Sequence, residues 1–216
     1  MPVLAYCVID ARTPIDPPST GIGGVPIGIL EECELRCFFS YVNDVNFGSE
    51  AMAKNAALQF HAVLRAIFEK TAIIPFRFPT VVRAETELSD YLREHCAQHH
   101  KALSRLRDLV QMELHISLQG TREQARSTSG GEYLRSRQAK LQELQDATHS
   151  VRAAISPLLV DWRVRRKVGT VRCYALVPRV AISEFQRLLH SVALAGFSLR
   201  VTGPWPATEF LNDQHE

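Results

Sequence analysis

The sequence has no apolar run approaching the ~20 residues that a membrane-spanning helix needs, and no marked excess of charge of either sign. Its 25 basic and 23 acidic side chains leave a formal net charge of +2. A protein built for a polyanion carries a strongly basic balance, so no nucleic acid and no membrane are expected as partners. Cysteine is too sparse for a disulfide framework. The five residues Cys7, Cys33, Cys37, Cys96 and Cys173 are odd in number and scattered over 216 positions. Cys33 and Cys37 fall in one expected hairpin, where four residues of strand hold them about 13 Å apart, too far to bridge. The segment MPVLAYCVID has no basic leader and reaches Asp10 at once. It reads as a first strand, not a signal peptide, and a reducing cytoplasm is the expected compartment.

Catalytic signatures are missing as well. There is no G-x-S-x-G, no Walker A sequence and no convincing pair of carboxylates. Gly21-Ile22-Gly23-Gly24-Val25-Pro26 places proline where a dinucleotide fingerprint requires its third glycine, and no helix opens there. That glycine-rich stretch reads as a loop.

What is present is the material of an ordinary globular protein, with 46% hydrophobic and 22% charged residues. Val3–Ile9 reads as a strand. Thr13–Gly24, rich in Pro, Gly and Ser, reads as a loop, and a hairpin follows over Pro26–Glu32 and Glu34–Val42. Ser49 is the expected N-cap of a helix reaching Lys70, with Met52, Ala56, Phe60, Val63, Leu64 and Ile67 on one apolar face. Ile73–Val82 is apolar but broken by Pro75 and Pro79, which suits a sheet edge. A second helix is expected over Glu87–Leu109.

Gln111–Gln119 then alternates cleanly, with Met112, Leu114, Ile116 and Leu118 facing one way. Gly120–Gly131 reads as a polar loop. A long helix over 132–156, carrying Leu134, Leu141, Leu144, Val151 and Ile155, ends at Pro157. Strands at Leu159–Lys167 and Thr170–Val177, a helix at Ser183–Leu194 and a strand at Phe197–Thr202 complete the pattern. The expected fold class is α+β with two packed domains. Residues 1–109 hold a strand, a hairpin and two helices. Residues 110–216 follow the order β-α-β-β-α-β, a ferredoxin-like arrangement.

Two clusters invite a chemical reading. His95 and His99, and Cys96 and His100, are four apart on a helix, a spacing that can clamp zinc. The general-base glutamate of H-E-x-x-H is absent and no third ligand is identifiable. A metal-binding protein or enzyme using these four residues stands as an alternative to a buried His99 flanked by surface histidines. Arg163, Arg165 and Lys167 alternate on one strand face, which on a ferredoxin-like fold raises an RNA-binding module. The paired aromatics of such a module are missing, since Arg172–Val177 offers only Tyr174.

Three further stretches belong together. The first is His61–Leu64 followed by Ile73-Ile74-Pro75-Phe76-Arg77-Phe78-Pro79-Thr80-Val81. The second is Ser129-Gly130-Gly131-Glu132-Tyr133-Leu134-Arg135-Ser136-Arg137. The third is Val201-Thr202-Gly203-Pro204-Trp205-Pro206, then Phe210. In order and spacing the chain resembles the gas vesicle accessory proteins of the L/F type, and the Thr202–Pro206 block is the most specific part. Departures are Pro79 in place of a usual glycine, and Ala207-Thr208-Glu209 in place of Pro-Tyr-Ser.

The resemblance implies a non-enzymatic accessory or minor structural protein of gas vesicle assembly, with no cofactor, located in the cytoplasm with the vesicles. Its implied partners are the hydrophobic shell protein and other accessory proteins. Four residues are candidates for partner or interdomain contact: Arg77, Phe78, Trp205 and Phe210. Strand alternation turns Arg77 away from Phe76 and Phe78, toward an acid in the other domain or a partner's carboxylate. Trp205, between two prolines, either presents its ring to a partner or plugs the end of the sheet or the interdomain seam.

Overall fold

The computed structural model describes residues 1–42, 49–119, 130–167 and 169–212. It divides into two compact units, one formed by Met1–Asp108 with the chain from Leu211 on, the other by Leu109–Phe210. Most of the Gly120–Gly131 loop lies outside the described residues, as does Ser129 of the second family-like stretch.

The first unit is built around β1 (Val3–Asp10), every residue of which is buried. Burial on both faces explains why the strand reads as a continuous apolar run. The parity of its side chains also changes midway. The pairing with the strand Leu35–Tyr41 shifts register between Ala5 and Cys7, a bulge at Tyr6. Val3, Ala5 and Val8 consequently share one face, in a core with Leu88, Leu92, Ala102 and Leu103. Tyr6 faces the other side, stacked on Phe60 with ring centroids 5.3 Å apart.

Strand β2 (Gly28–Glu32) and β3 (Leu35–Tyr41) form the expected hairpin, joined by Cys33 and Glu34 alone. Both residues lie in the left-handed region (φ 51° and 57°), as a two-residue turn matched to strand twist requires. Helix α1 (Glu50–Phe68) begins at Ser49, whose Oγ accepts the Met52 N–H at 3.3 Å. Its buried face carries Ala56, Phe60, Val63, Leu64, Ile67 and Phe68. Met52, expected on that face, is instead 60% exposed in the first turn. Short β4 (Ile74–Pro75) and β5 (Val81–Val82) both pair with β1, on the side away from β3. The two prolines thus restrict this segment to edge pairing.

The expected helix over Glu87–Leu109 is two helices, α2 (Glu85–Glu94) and α3 (Cys96–Arg105). The break falls at His95 (φ −102°, ψ 9°), where both the backbone N–H and the ring Nδ1–H turn back to the Tyr91 carbonyl at 3.1 and 3.0 Å.

The second unit runs β6 (Leu109–Leu118), α4 (Gly130–Ile155), β7 (Asp161–Lys167), β8 (Thr170–Pro178), α5 (Ile182–His190) and β9 (Phe197–Trp205). Its four strands are antiparallel in the order β7-β8-β6-β9. Each helix therefore crosses over one intervening strand. Met112, Leu114 and Ile116 of β6 are fully buried, as the alternation requires. In α4 the buried apolar residues, among those described, run from Leu144 through Ala147 and Val151 to Ile155. Leu134 and Leu141, expected in the core, are 60% and 44% exposed, ahead of that buried stretch. Among the described residues no helix is long and apolar enough to cross a membrane.

Candidate functional site

The Thr202–Pro206 block ends β9, and its geometry follows from its glycine. Pairing between β6 and β9 shifts register between Gln111 and Glu113, opposite Gly203. There φ is 123°, and a Cβ would meet the Gln111 carbonyl oxygen at 2.9 Å and Met112 Sδ at 3.1 Å. Only glycine allows the strand to pass that close while making the turn. The following Pro204, joined through a cis peptide bond, fixes φ and offers no N–H to the ladder. Trp205 emerges from this bulge 47% exposed, its Nε1–H donating to Thr202 Oγ1 at 3.2 Å. The indole does not plug the sheet.

Beyond Trp205 the chain turns down onto the polar side of the second sheet. Buried Gln111 accepts the Glu209 N–H through Oε1 at 3.0 Å. Glu209 in turn collects two of the basic residues of β7. Arg165 pairs with its carboxylate at 2.6 Å, and Arg163 donates to its carbonyl. The Arg163 guanidinium also lies over the Phe210 ring, 5.0 Å from the centroid, and Phe210 is fully buried. Arg165 lies 5.8 Å over Tyr174. The basic strand face expected from sequence is thus engaged within its own unit, and a ring that would have to stack on a base is already covered. The side chain of Lys167 lies outside the described residues.

In the first unit, Phe76 and Phe78 diverge around Arg77. Phe76 packs on Tyr91 at 5.5 Å and Phe78 on Phe60 at 5.2 Å. Arg77 is exposed and forms no ion pair among the described residues. Thr80 Oγ1–H donates to the Arg77 carbonyl at 2.6 Å, and Phe78–Pro79 is a cis peptide.

The His95–His100 cluster separates into two arrangements. His95 stacks between Tyr91 (4.4 Å) and His99 (5.8 Å). His99 is 6% exposed, and its Nε2 has no hydrogen-bond partner among the described residues. Burial, with His95 and His100 nearby, lowers its pKa to about 4, so the ring is neutral at ordinary pH. Cys96 and His100 turn instead to the β2–β3 turn. Among the described residues no group of three or more His, Cys, Asp or Glu is placed to hold a metal ion. Cys7 and Cys37 are buried, which pushes both thiols well above the ordinary range. Burial likewise takes Cys173 to about 12.

One polar anchor was not singled out by sequence. Asp10 is 7% exposed and takes a bidentate contact from Arg12 (2.9 and 2.8 Å), the Arg12 N–H (3.0 Å) and Arg107 (3.3 Å). The Arg12 hydrogen bonds hold its carboxyl at about 2. It closes the end of β1 and is an element of structure.

A protein-family model described as "Gas vesicle synthesis protein GvpL/GvpF" matches residues 2–212. No curated protein matches the sequence significantly. Two solved structures share the fold. The gas vesicle protein GvpF from Anabaena sp. PCC7120 superposes with a TM-score of 0.76 at 14% identity, covering 99% of this chain and 97% of its own. GvpF from Microcystis aeruginosa superposes with a TM-score of 0.77 at 13% identity, covering 98% and 99%.

Proposed function

The chain belongs to the gas vesicle synthesis protein GvpL/GvpF family, and on that premise we propose that it is a non-enzymatic assembly protein that binds the hydrophobic shell protein. Family membership over nearly the whole chain carries this reading. The physical need it meets is general: a very apolar shell subunit aggregates unless its patches are covered before incorporation. The exposed Trp205 is the favoured contact. Its backbone lies between two prolines of fixed φ, so little conformational freedom is lost on binding. Tryptophan is also the side chain most enriched among residues that dominate interface energies. Arg77, exposed beside two aromatic anchors, is the favoured polar contact of the first unit. The place of action is with the vesicles, alongside shell and other accessory proteins.

Co-expression with the shell protein tests this. The soluble fraction of shell protein rises, and the two co-purify. Trp205→Ala weakens the complex about 30-fold, corresponding to the ~2 kcal/mol of a dominant interface residue, while its thermal melt stays that of the parent. Unchanged shell-protein solubility with no co-purification would overturn the reading. A Trp205→Ala variant that binds like the parent would remove Trp205 from it.

A further inference from the structure

Two thiols meet where the β2–β3 turn approaches the start of α3. Cys33 is exposed and Cys96 partly so, whereas Cys7, Cys37 and Cys173 are buried. Cys96 Sγ lies 3.7 Å from the Cys33 carbonyl oxygen, and the Cys33 thiol itself donates to Glu32 Oε1 at 3.9 Å. The placement is held from several sides. His100 Nε2–H donates to that same Cys33 carbonyl at 2.7 Å. Neighbouring Glu32 accepts from Ser89 at 2.7 Å and pairs with Arg93 at 3.3 Å, both on α2. The turn is a two-residue one with positive φ at Cys33 and Glu34, a conformation for which glycine or asparagine is the usual choice. Neither packing nor turn geometry calls for sulfur at position 33.

We propose that Cys33 and Cys96 form a reversible dithiol–disulfide site that takes low-molecular-weight disulfides as its oxidant. In the first step one of the two thiolates attacks a sulfur of the small disulfide. An S–S bond forms to the protein and one small thiolate leaves, taking up a proton. In the second step the other protein thiolate attacks the protein sulfur of that mixed disulfide and expels the second small thiol. Two electrons have moved from the protein dithiol to the small disulfide, which ends as two thiols. The bond joins positions 63 apart in sequence. It ties the hairpin turn to the first residue of α3 and restricts the unfolded chain.

The reduced full-length protein, incubated with oxidised glutathione, tests the site. The expected product has lost two hydrogens and carries no glutathione. Its proteolytic map contains a Cys33–Cys96 linked peptide, and its Tm rises by about 5 °C or more. Cys33→Ser and Cys96→Ser each stop at a persistent glutathione adduct on the remaining partner. Should either variant fail to fold, the map of the parent protein decides. A parent protein that stays reduced in excess oxidised glutathione, keeps a stable adduct at Cys33 or Cys96, or joins two molecules through Cys33 overturns the proposal. An unchanged Tm overturns the claim that the bond clamps α3 to the turn.

Discussion

Replacing His99 by leucine should flatten the pH dependence of stability between pH 6.5 and 4. The folded ring titrates near 4, from an ordinary value of 6.5, because burial and two neighbouring imidazoles disfavour its charge. In that window the unfolded chain binds a proton that the folded chain does not, so stability falls as pH falls. It is fully retained above 6.5. Each pH unit is worth ~1.4 kcal/mol for one site, about 3 kcal/mol over the whole window and about 2 after allowing for partial solvent access to the ring. His99→Leu removes both the titration and the buried Nε2, which lacks a partner among the described residues. At pH 7 the variant should therefore equal the parent or exceed it by up to about 1 kcal/mol. At pH 4.5 it should exceed the parent by about 2 kcal/mol more than it does at pH 7. Urea denaturation of both proteins at pH 7, 6, 5 and 4.5 measures this, and titrating groups remote from position 99 cancel in the comparison. A stability difference that is constant across pH would refute the reasoning.

The remaining expectations concern close approaches and one carboxylate. Gly21→Ala places a methyl 2.0 Å from Tyr6 Oη, where that hydroxyl donates to Ser40 Oγ at 3.1 Å and accepts the Ile22 N–H at 3.0 Å. The cost should be about 1–3 kcal/mol in denaturant unfolding, and Tyr6→Phe in the same background should recover part of it. Gly203→Ala meets backbone at 2.9 Å with a φ of 123° and should cost about 2 kcal/mol or more. The accompanying change in Trp205 fluorescence is the check that the bulge has moved. Asp10→Asn should remove an acid transition. The parent keeps the Asp10 contribution above pH 3.8 and loses it as pH falls through about 2. With both arginine partners more than 60% exposed, about 1 kcal/mol is at stake, readable as a difference in stability between pH 4 and 2.

Legibility in the sequence followed from how local each cause was. Helix α1 carried its own Ser49 cap and β6 its own alternation, so both were visible. The helix break at His95 was not, because no proline or glycine marks it; it rests on Tyr91 accepting two bonds. The bulge at Tyr6 hid the two faces of β1 by exchanging them midway. Leu134 and Leu141 have the spacing of core residues, but periodicity does not say where the covering sheet stops. Trp205 was placed near a strand end correctly, yet its exposure depends on Gly203 crossing Met112. The engagement of Arg163 and Arg165 by Glu209 joins residues 44 and 46 apart, beyond any window of sequence. His99 was the exception among the candidate site residues: its place on the apolar stripe of α3 announced its burial.

The return of the chain to the first unit at Leu211 bears on synthesis. Leu211 packs against the core that holds Val3, Ala5 and Leu92, its carbonyl accepts from Arg105 at 3.4 Å, and Asn212 accepts from Gln98 at 3.3 Å. A nascent chain emerging from the ribosome can complete β6 through β9 while the earlier half still lacks its last packing residues. The part translated first is thus closed last, and a chain stalled before position 211 would leave that core uncapped.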